Sequence, residues 1–476
     1  MSNNKVKTSL IFLLLIVALW GCNKTHNENK KPNVLFIIVD DLRPELGCYG
    51  NENIISPNID ALAKDGYKFT RTYCQVPVCG ASRASFLSGV RPNRNKFVDF
   101  NAWAEKDAPD AETLPMHFKK NGYITISNGK VFHHINDSEN SWSEKPWAPN
   151  TPWRDYLTEQ NIKVAKKNKR ELKKYVAASY ETADVDDYAY IDGKVAKKSI
   201  DDLRRLKEMN KPFFLAVGFR KPHLPFNHPK KYWDLYEEKN IPPADNPFVP
   251  KDAPSASIHN SPELRVYTDI PKQGKISNKK AKELKRAYYA CVSYTDKLIG
   301  DVVGELKNLG LYNNTIIVLI GDHGYQLGEH TMWTKHTNYE ISLNAPMIVR
   351  VPGMKKNIEI TGLTEFVDIY PTLCQLAGID IPNTANGKSF LPLLTSKKEE
   401  ITDAVFSRYK DGESVRTERY LYTEFRDDKG NLYAKMLYDH QIDPEENINI
   451  VDLPKNKVIV THLAKLLQKH REKFSG

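Results

Sequence analysis

Three continuous apolar runs constrain this 476-residue chain most: Asn33-Val34-Leu35-Phe36-Ile37-Ile38-Val39, Pro212 to Gly218, and Thr315 to Ile320. A half-exposed strand alternates apolar and polar residues, whereas an unbroken run of this length reads as a strand buried on both faces of a helix-covered parallel sheet. Helical patterns separate the runs. Ser56 as cap and Pro57 in the first turn start one helix, with Ile59, Leu62 and Ala63 inward and Gly66 as its stop. Ile200 to Met209 and Ala281 to Leu309 are two more, the second closed by Gly310. Thr113 to Asn121 reads as a helix, Tyr123 to Ser127 and Met347 to Val351 as strands, and Asp368 to Ala377 as a helix. The alternation predicts an α/β fold, a large mostly parallel mixed sheet flanked by helices. Asn383 to Lys398 reads as a linker. Beyond it, Ala404 to Phe425 and Lys435 to Tyr438 read as antiparallel strands, and Val458 to Phe474 as an amphipathic helix with Leu463, Leu466 and Leu467 inward. We therefore expect a main domain over residues 32–395 and a smaller C-terminal α+β subdomain with an antiparallel sheet over 396–476; a chain this long exceeds one typical core.

Chemistry-bearing residues follow the buried runs. Asp40-Asp41 end the first and Gly321-Asp322-His323-Gly324 the third. The carboxyl edge of an open parallel sheet is where ligands bind. Adjacent carboxylates at a buried edge repel unless a cation lies between them, and hard oxygens suit calcium or magnesium; a loop-capping role is the alternative. After the second run, Pro222 and Pro225 stiffen a loop that carries His223. The segment Val78-Cys79-Gly80-Ala81-Ser82-Arg83-Ala84-Ser85-Phe86-Leu87-Ser88-Gly89 reads as a loop entering a helix, with Cys79 near the N-terminus, where unpaired N–H groups favour an anion. Arg83 adds a planar cation suited to oxyanions. On these residues alone Cys79 is a nucleophile, a buried structural thiol or half of a disulfide.

Cys79-x-Ala81-Ser82-Arg83, followed by Leu87-x-Gly89, resembles the activation sequence of the sulfatases, with Ala81 where Pro is commoner and Ser88 where Thr is usual. The resemblance spans Asn33 to the end of the chain and implies an alkaline-phosphatase-like fold. It implies that a maturation enzyme oxidises Cys79 to formylglycine (3-oxoalanine), and that one divalent ion, Ca2+, sits among Asp40, Asp41, residue 79 and Asp322. Most sulfatases have Asp-Asn where this chain has Asp322-His323, so His323 is either the fourth protein ligand or its neighbour. Gly129-Lys130-x-x-His133, Lys221-Pro222-His223 and Lys335 match further family elements. The implied catalytic set is Cys79, Arg83, Lys130, His133, His223 and Lys335, with Lys130, His223 and Lys335 also binding substrate. Asp99 and Asn101, in a polar loop, touch substrate or only form the loop.

Asp40-Asp41-Leu42-Arg43-Pro44 with Leu46-Gly47-Cys48-Tyr49-Gly50, Gly129 to His133, Phe214 to Gly218, and Asp322-His323-Gly324 resemble the iduronate-2-sulfatase branch of the family. That branch implies hydrolysis of the 2-O-sulfate of a uronic acid, iduronate or unsaturated uronate, in heparin, heparan, chondroitin or dermatan fragments. The formylglycine hydrate attacks sulfur to give a covalent sulfate, and its second hydroxyl expels it. His223 is the expected acid for the leaving hydroxyl and His133 the expected base, while Arg83, Lys130, Lys335 and the metal ring the sulfate oxygens. Lys335 is alternatively the partner of the uronate carboxylate. The rival readings are another regiospecificity, a phosphonate or phosphodiester hydrolase of the same superfamily, and a non-catalytic lipoprotein that binds sulfated glycan.

The net charge of +10 suits an anionic partner, or only solubility. Nothing resembles a nucleic-acid module, which favours an acidic glycan. Lys5 and Lys7 before the apolar run Leu10 to Trp20, then Leu19-Trp20-Gly21-Cys22, resemble a lipoprotein signal over residues 1–22, with Cys22 the lipid anchor or ordinary secretion as the alternative. Residues 23–31 read as a tether, and the protein as an exported bacterial one, periplasmic or membrane-anchored. Cys48, Cys74, Cys291 and Cys374 fit no zinc spacing and are expected as mostly buried free thiols, with room for one disulfide. Trp142, Trp147 and Trp153 read as rim aromatics for sugar rings, and Lys163 to Lys174 as a solvated basic helix face or a contact for an anionic polymer.

Overall fold

The three apolar runs become central strands of one sheet in the computed structural model, which describes residues 31–474. In chain order its elements are β1 (Asn33–Val39), α1 (Pro57–Lys64), β2 (Tyr67–Phe69), α2 (Cys79–Ser88), β3 (Ile124–Gly129), α3 (Ile191–Met209), β4 (Phe213–Phe219), α4 (Asn278–Asn308), β5 (Thr315–Gly321), β6 (Met347–Arg350), β7 (Ile358–Ile360) and α5 (Ile369–Ala377). The seven strands run in the order β7-β2-β6-β5-β1-β4-β3. β3, β4, β1 and β5 are mutually parallel, β6 is antiparallel to both β5 and β2, and β7 is parallel to β2. The expected mixed, mostly parallel sheet is present.

Every residue of β1, β4 and β5 is buried, because helices cover both faces. Leu35, Ile37 and Val39 join Leu215, Val217, Ile317 and Leu319 under Leu203 and Leu206 of α3 and Leu298 and Val302 of α4. The alternate set, Val34, Phe36 and Ile38, packs with Phe214 and Ala216 against Ala84, Phe86 and Leu87 of α2 and Leu373 of α5. Each such side chain contributes about 1.5–3 kcal/mol on leaving water. Two apolar faces, rather than one, are what removed the alternation from the sequence.

Register sets up the site. Val39 stands level with Phe219 on one side and Gly321 on the other, so residues 40–41, 220–223 and 322–323 leave the sheet side by side. At the next strand, Gly129 pairs with Gly218. A Cβ on Gly218 would lie 2.0 Å from the Lys130 carbonyl oxygen, so only glycine lets β3 close in and deliver Lys130 to the same edge.

Past the main sheet, β8 (Ala404–Tyr409), β9 (Gly412–Thr417), β10 (Tyr420–Arg426) and β11 (Leu432–Asp439) form an antiparallel sheet in that order, against which α6 (Lys457–Phe474) buries Leu463 and Leu467. The expected inward Leu466 is only partly buried. The stretch Asn383 to Lys398 is no free linker: Phe390, Leu393 and Leu394 are buried in the main core, and Phe390 packs edge-on against Phe69 at 5.0 Å. Trp142 is likewise core, not rim, and Trp147 is half-buried, leaving Trp153 alone of the three well exposed, at 41%. The basic run lies on a helix, Glu159–Leu172, that buries only Ala165, as a solvated face would. Cys48, Cys74, Cys291 and Cys374 are free thiols, the last three buried. Among the described residues no helix is long and apolar enough to cross a membrane. The leader, its Cys22 and residues 23–30 of the tether lie outside the described residues.

Candidate active site

Helix α2 starts at Cys79 and is buried along its whole length, so its N-terminus points into the protein at the sheet edge. Gly80 makes this approach possible: a Cβ there would lie 2.5 Å from the Phe100 carbonyl oxygen. One turn on, Arg83 is fully buried and makes four hydrogen bonds among the described residues. Nε donates to Asp322 Oδ2 at 2.9 Å and Nη2 to Asp40 Oδ1 at 3.2 Å, while Nη1 donates to the carbonyls of Lys130 and Val131. This differs from the expected place at the sulfate oxygens. Arg83 ties three strand ends together and neutralises two buried carboxylates, which repel less for it.

Lys130 donates to Asp40 Oδ2, and Lys335 to Asp41 Oδ1 at 2.9 Å. Burial pushes the Asp40 carboxyl up, but Lys130 and Arg83 beside it outweigh that and hold it well below the usual carboxylate range. For Asp41 burial prevails, and its carboxyl is raised despite Lys335. Asp41 also sits at φ 62°, a left-handed backbone held by two hydrogen bonds: its N–H donates to Asp322 Oδ1 at 3.0 Å, and Tyr288 Oη donates to its carbonyl at 2.8 Å. Strain of this kind at a non-glycine residue persists where surroundings over-determine it.

Asp40, Asp41, Cys79 and His323 each offer a ligand atom, all within 4.8 Å of one another. Two ligands on opposite sides of a calcium ion, each at about 2.4 Å, have this separation. His323 Nδ1 lies 2.9 Å from the Gly324 carbonyl and must donate there, which leaves the Nε2 lone pair facing Cys79 Sγ at 3.2 Å and Asp41 Oδ1 at 3.5 Å. A carbonyl that fixes the tautomer of a ligating imidazole in this way is a recurrent feature of metal sites. Two hard carboxylates, one imidazole nitrogen and the side chain of residue 79 thus converge closely enough to hold one divalent cation. Asp322 borders the cluster, its Oδ1 3.6 Å from His323 Nε2 and its two oxygens already accepting from Asp41 N–H and Arg83. Around Cys79 burial pushes the thiol well up, and Asp40 adds to it, so the unmodified side chain is no thiolate.

His223 projects from its stiff loop toward the same carboxylates, with Nε2 3.9 Å from Asp41 Oδ2. Its Nδ1 meets the Leu224 carbonyl at 2.6 Å and its Nε2 meets Glu263 Oε1 at 2.9 Å. Both partners are oxygen acceptors, which fix the orientation of the ring. Lys221 Nζ holds the loop by donating to the carbonyls of His223 (2.9 Å) and Pro225 (2.7 Å). His133 is different: burial, with Lys130 close by, pushes it down to about 2, and its buried Nδ1 has no hydrogen-bond partner. It is a neutral ring.

Glu263 is the residue the sequence did not single out. It bridges His223 and Lys335 Nζ, the latter at 3.0 Å. Burial raises its carboxyl, but Lys335 and His223 overcome that and hold it well below the usual range. It sits in Ser261-Pro262-Glu263, a loop with no strand run or motif before it, so no local signal marks it. Asp99 and Asn101 are not brought into the cluster. They are exposed, and the Asn101 N–H closes on Asp99 Oδ1 at 2.7 Å, in the loop whose Phe100 ring stands 6.4 Å from the ring of His133.

Residues 32–379 match the family described as Sulfatase, and residues 328–473 match N-sulphoglucosamine sulphohydrolase, C-terminal. The chain is 34% identical over 418 residues to human iduronate 2-sulfatase, covering 80% of this chain and 75% of that protein. A structure solved in complex with its substrate D-glucosamine-2-N,6-O-disulfate superposes with a TM-score of 0.76 at 22% identity, over 94% of this chain and 98% of the other. The phosphonate monoester hydrolase of Silicibacter pomeroyi shares the fold with a TM-score of 0.73 at 21% identity, over 93% and 95%.

Proposed function

Because this chain belongs to the sulfatase family, and so is a sulfuric ester hydrolase, we propose that it removes the 2-O-sulfate of a uronic acid, iduronate or an unsaturated uronate, from fragments of heparin, heparan sulfate, chondroitin sulfate or dermatan sulfate. The observation that carries the reading is the cluster at the sheet edge: Cys79, three carboxylates and an imidazole with a bare nitrogen, ringed by Lys130, Lys335, His223 and His133. The likeness to iduronate 2-sulfatase supports the choice of sugar, and the net charge of +10 suits a polyanion.

Residue 79, once matured to an aldehyde hydrate, supplies two geminal hydroxyls, one to attack sulfur and one to expel sulfate. A calcium ion held by Asp40, Asp41, residue 79 and His323, with Asp322 on its flank, would polarise a sulfate oxygen as a Lewis acid. This chain's own side chains do the rest. Lys130 and Lys335 put two ammonium groups beside the reacting centre and favour the oxygen charge that grows there. His223, oriented by Glu263 and the Leu224 carbonyl, gives a proton to the leaving sugar hydroxyl. His133, neutral and with an unpartnered Nδ1, takes one during expulsion. Arg83 keeps the carboxylates aligned without touching substrate. Asp99 and Asn101 meet the outer part of the sugar from the rim. An exported, lipid-anchored protein would meet such fragments outside the cytoplasm.

The superfamily alternative is a phosphonate monoester hydrolase; the 34% identity to iduronate 2-sulfatase, against 21% to the hydrolase, favours the sulfate ester. The test is incubation of pure, matured protein with 2-O-, 6-O- and N-sulfated disaccharides. Release of sulfate from the 2-O-sulfated uronide alone is expected; release only from a 6-O position, or a preference for phosphonate esters, overturns the assignment.

A further inference from the structure

Arg220 is the first residue past β4, and its neighbour across the sheet is Asp40, whose N–H donates to the Phe219 carbonyl at 3.1 Å. Its backbone is fixed. The Arg220 N–H donates to both Asp192 oxygens at 2.9 and 3.0 Å, the Lys221 N–H to Asp192 Oδ2 at 2.6 Å, and the His223 N–H back to the Arg220 carbonyl at 2.8 Å. Its side chain is not. Arg83, Lys130 and Lys335 each hold at least one carboxylate, but the Arg220 guanidinium makes no hydrogen bond or ion pair among the described residues. It is nevertheless half-buried, and burial pulls its pKa below that of an ordinary arginine although Asp192 and Asp40 oppose this. Its unpartnered nitrogens still reach solvent, so the five donors of the guanidinium stand open to an incoming anion. Its planar fork matches a carboxylate in two parallel hydrogen bonds, which an ammonium cannot do.

Only Lys221 and Pro222 separate Arg220 from His223, and the two leave the same rigid turn at the edge that carries Asp40 and Asp41. We infer that Arg220 receives the carboxylate of the substrate sugar, so that the enzyme selects a ring bearing two anionic groups, the sulfate that leaves and the carboxylate that stays. This rests on the uronide reading above and deepens it. It also moves the carboxylate partner away from Lys335, which is already shared between Asp41 and Glu263.

The experiment compares a mono-2-O-sulfated uronide disaccharide with its carboxyl-reduced counterpart, using wild type, Arg220→Gln and Arg220→Lys, each checked for aldehyde content at residue 79 and for an unchanged Tm. For the uronide, KM should rise by roughly 10- to 100-fold in Arg220→Gln with kcat nearly constant, and by less in Arg220→Lys, which keeps the charge without the fork. For the carboxyl-reduced sugar, wild type and both variants should share one KM, close to that of Arg220→Gln on the uronide. An equal rise on both substrates, a fall in kcat alone, or no change overturns the inference. Wild type that desulfates neither substrate overturns the uronide reading itself, a result distinct from all of these.

Discussion

Replacing Glu263 by Gln keeps shape and removes one charge from a carboxylate that touches both His223, at 2.9 Å, and Lys335, at 3.0 Å. A hydrogen bond to a charged group is worth about 1.5–3 kcal/mol and a neutral one about 0.5–1.5 kcal/mol. The amide oxygen can still accept from His223, so the expected loss from the weaker, uncharged hydrogen bond that orients the ring is about 1–2 kcal/mol, a factor of roughly 5–30. Where that factor appears is the informative part. A sugar hydroxyl leaves poorly and needs the proton of His223, whereas a nitrophenolate leaves without one. Glu263→Gln should therefore lower kcat/KM on the sulfated uronide by that factor and on 4-nitrophenyl sulfate by less than about threefold. His223→Asn should show the same asymmetry more strongly, and the double variant should fall no further than His223→Asn alone. Equal losses on the two substrates, or additive losses in the double variant, would refute the claim that Glu263 acts through His223.

Two further outcomes follow from the same geometry. Chelation should abolish activity and calcium restore it, and Asp41→Asn should raise the calcium needed for half-recovery at least about tenfold, read by activity and by calcium binding. For stability, His228 is fully buried, with Nδ1 3.0 Å from the Phe226 carbonyl, and burial pushes it down to about 3. Its folded pKa lies below the unfolded value of about 6.5, so the native state binds fewer protons between those limits and stability falls as pH drops from about 6.5 to 3. His228→Gln should flatten that part of the denaturation profile, where one proton taken up on unfolding changes stability by about 1.4 kcal/mol per pH unit; an unaltered slope would count against it.

Much of the site could be read from the chain because it is local. Asp40, Asp41, Asp322 and His323 each follow a buried run directly, and parallel register then brings the ends together. Cys79 and Lys130 lie within short patterns anchored by Gly80 and Gly129, whose missing side chains permit close backbone approach. What escaped depends on three-dimensional convergence. Glu263 acquires meaning only from where His223 and Lys335 point. Arg83 reads as a substrate-binding guanidinium, but the packing of α2 on the sheet directs its donors to Asp40, Asp322 and two carbonyls. Phe390, Leu393 and Leu394 are a short apolar group flanked by Asn, Thr and Lys, so the segment reads as a linker until the sheet edge and Phe69 bury it. Trp142 escaped for the same reason, a core residue inside a polar loop.

Turnover depends first on residue 79. Peptide mass spectrometry across residues 72–83 of active protein, set beside turnover by Cys79→Ala, tests it most directly. An aldehyde at position 79, in a fraction that tracks specific activity, with no turnover from the alanine variant, is the expected result. An intact thiol in fully active protein, or undiminished desulfation with alanine in place, would contradict it.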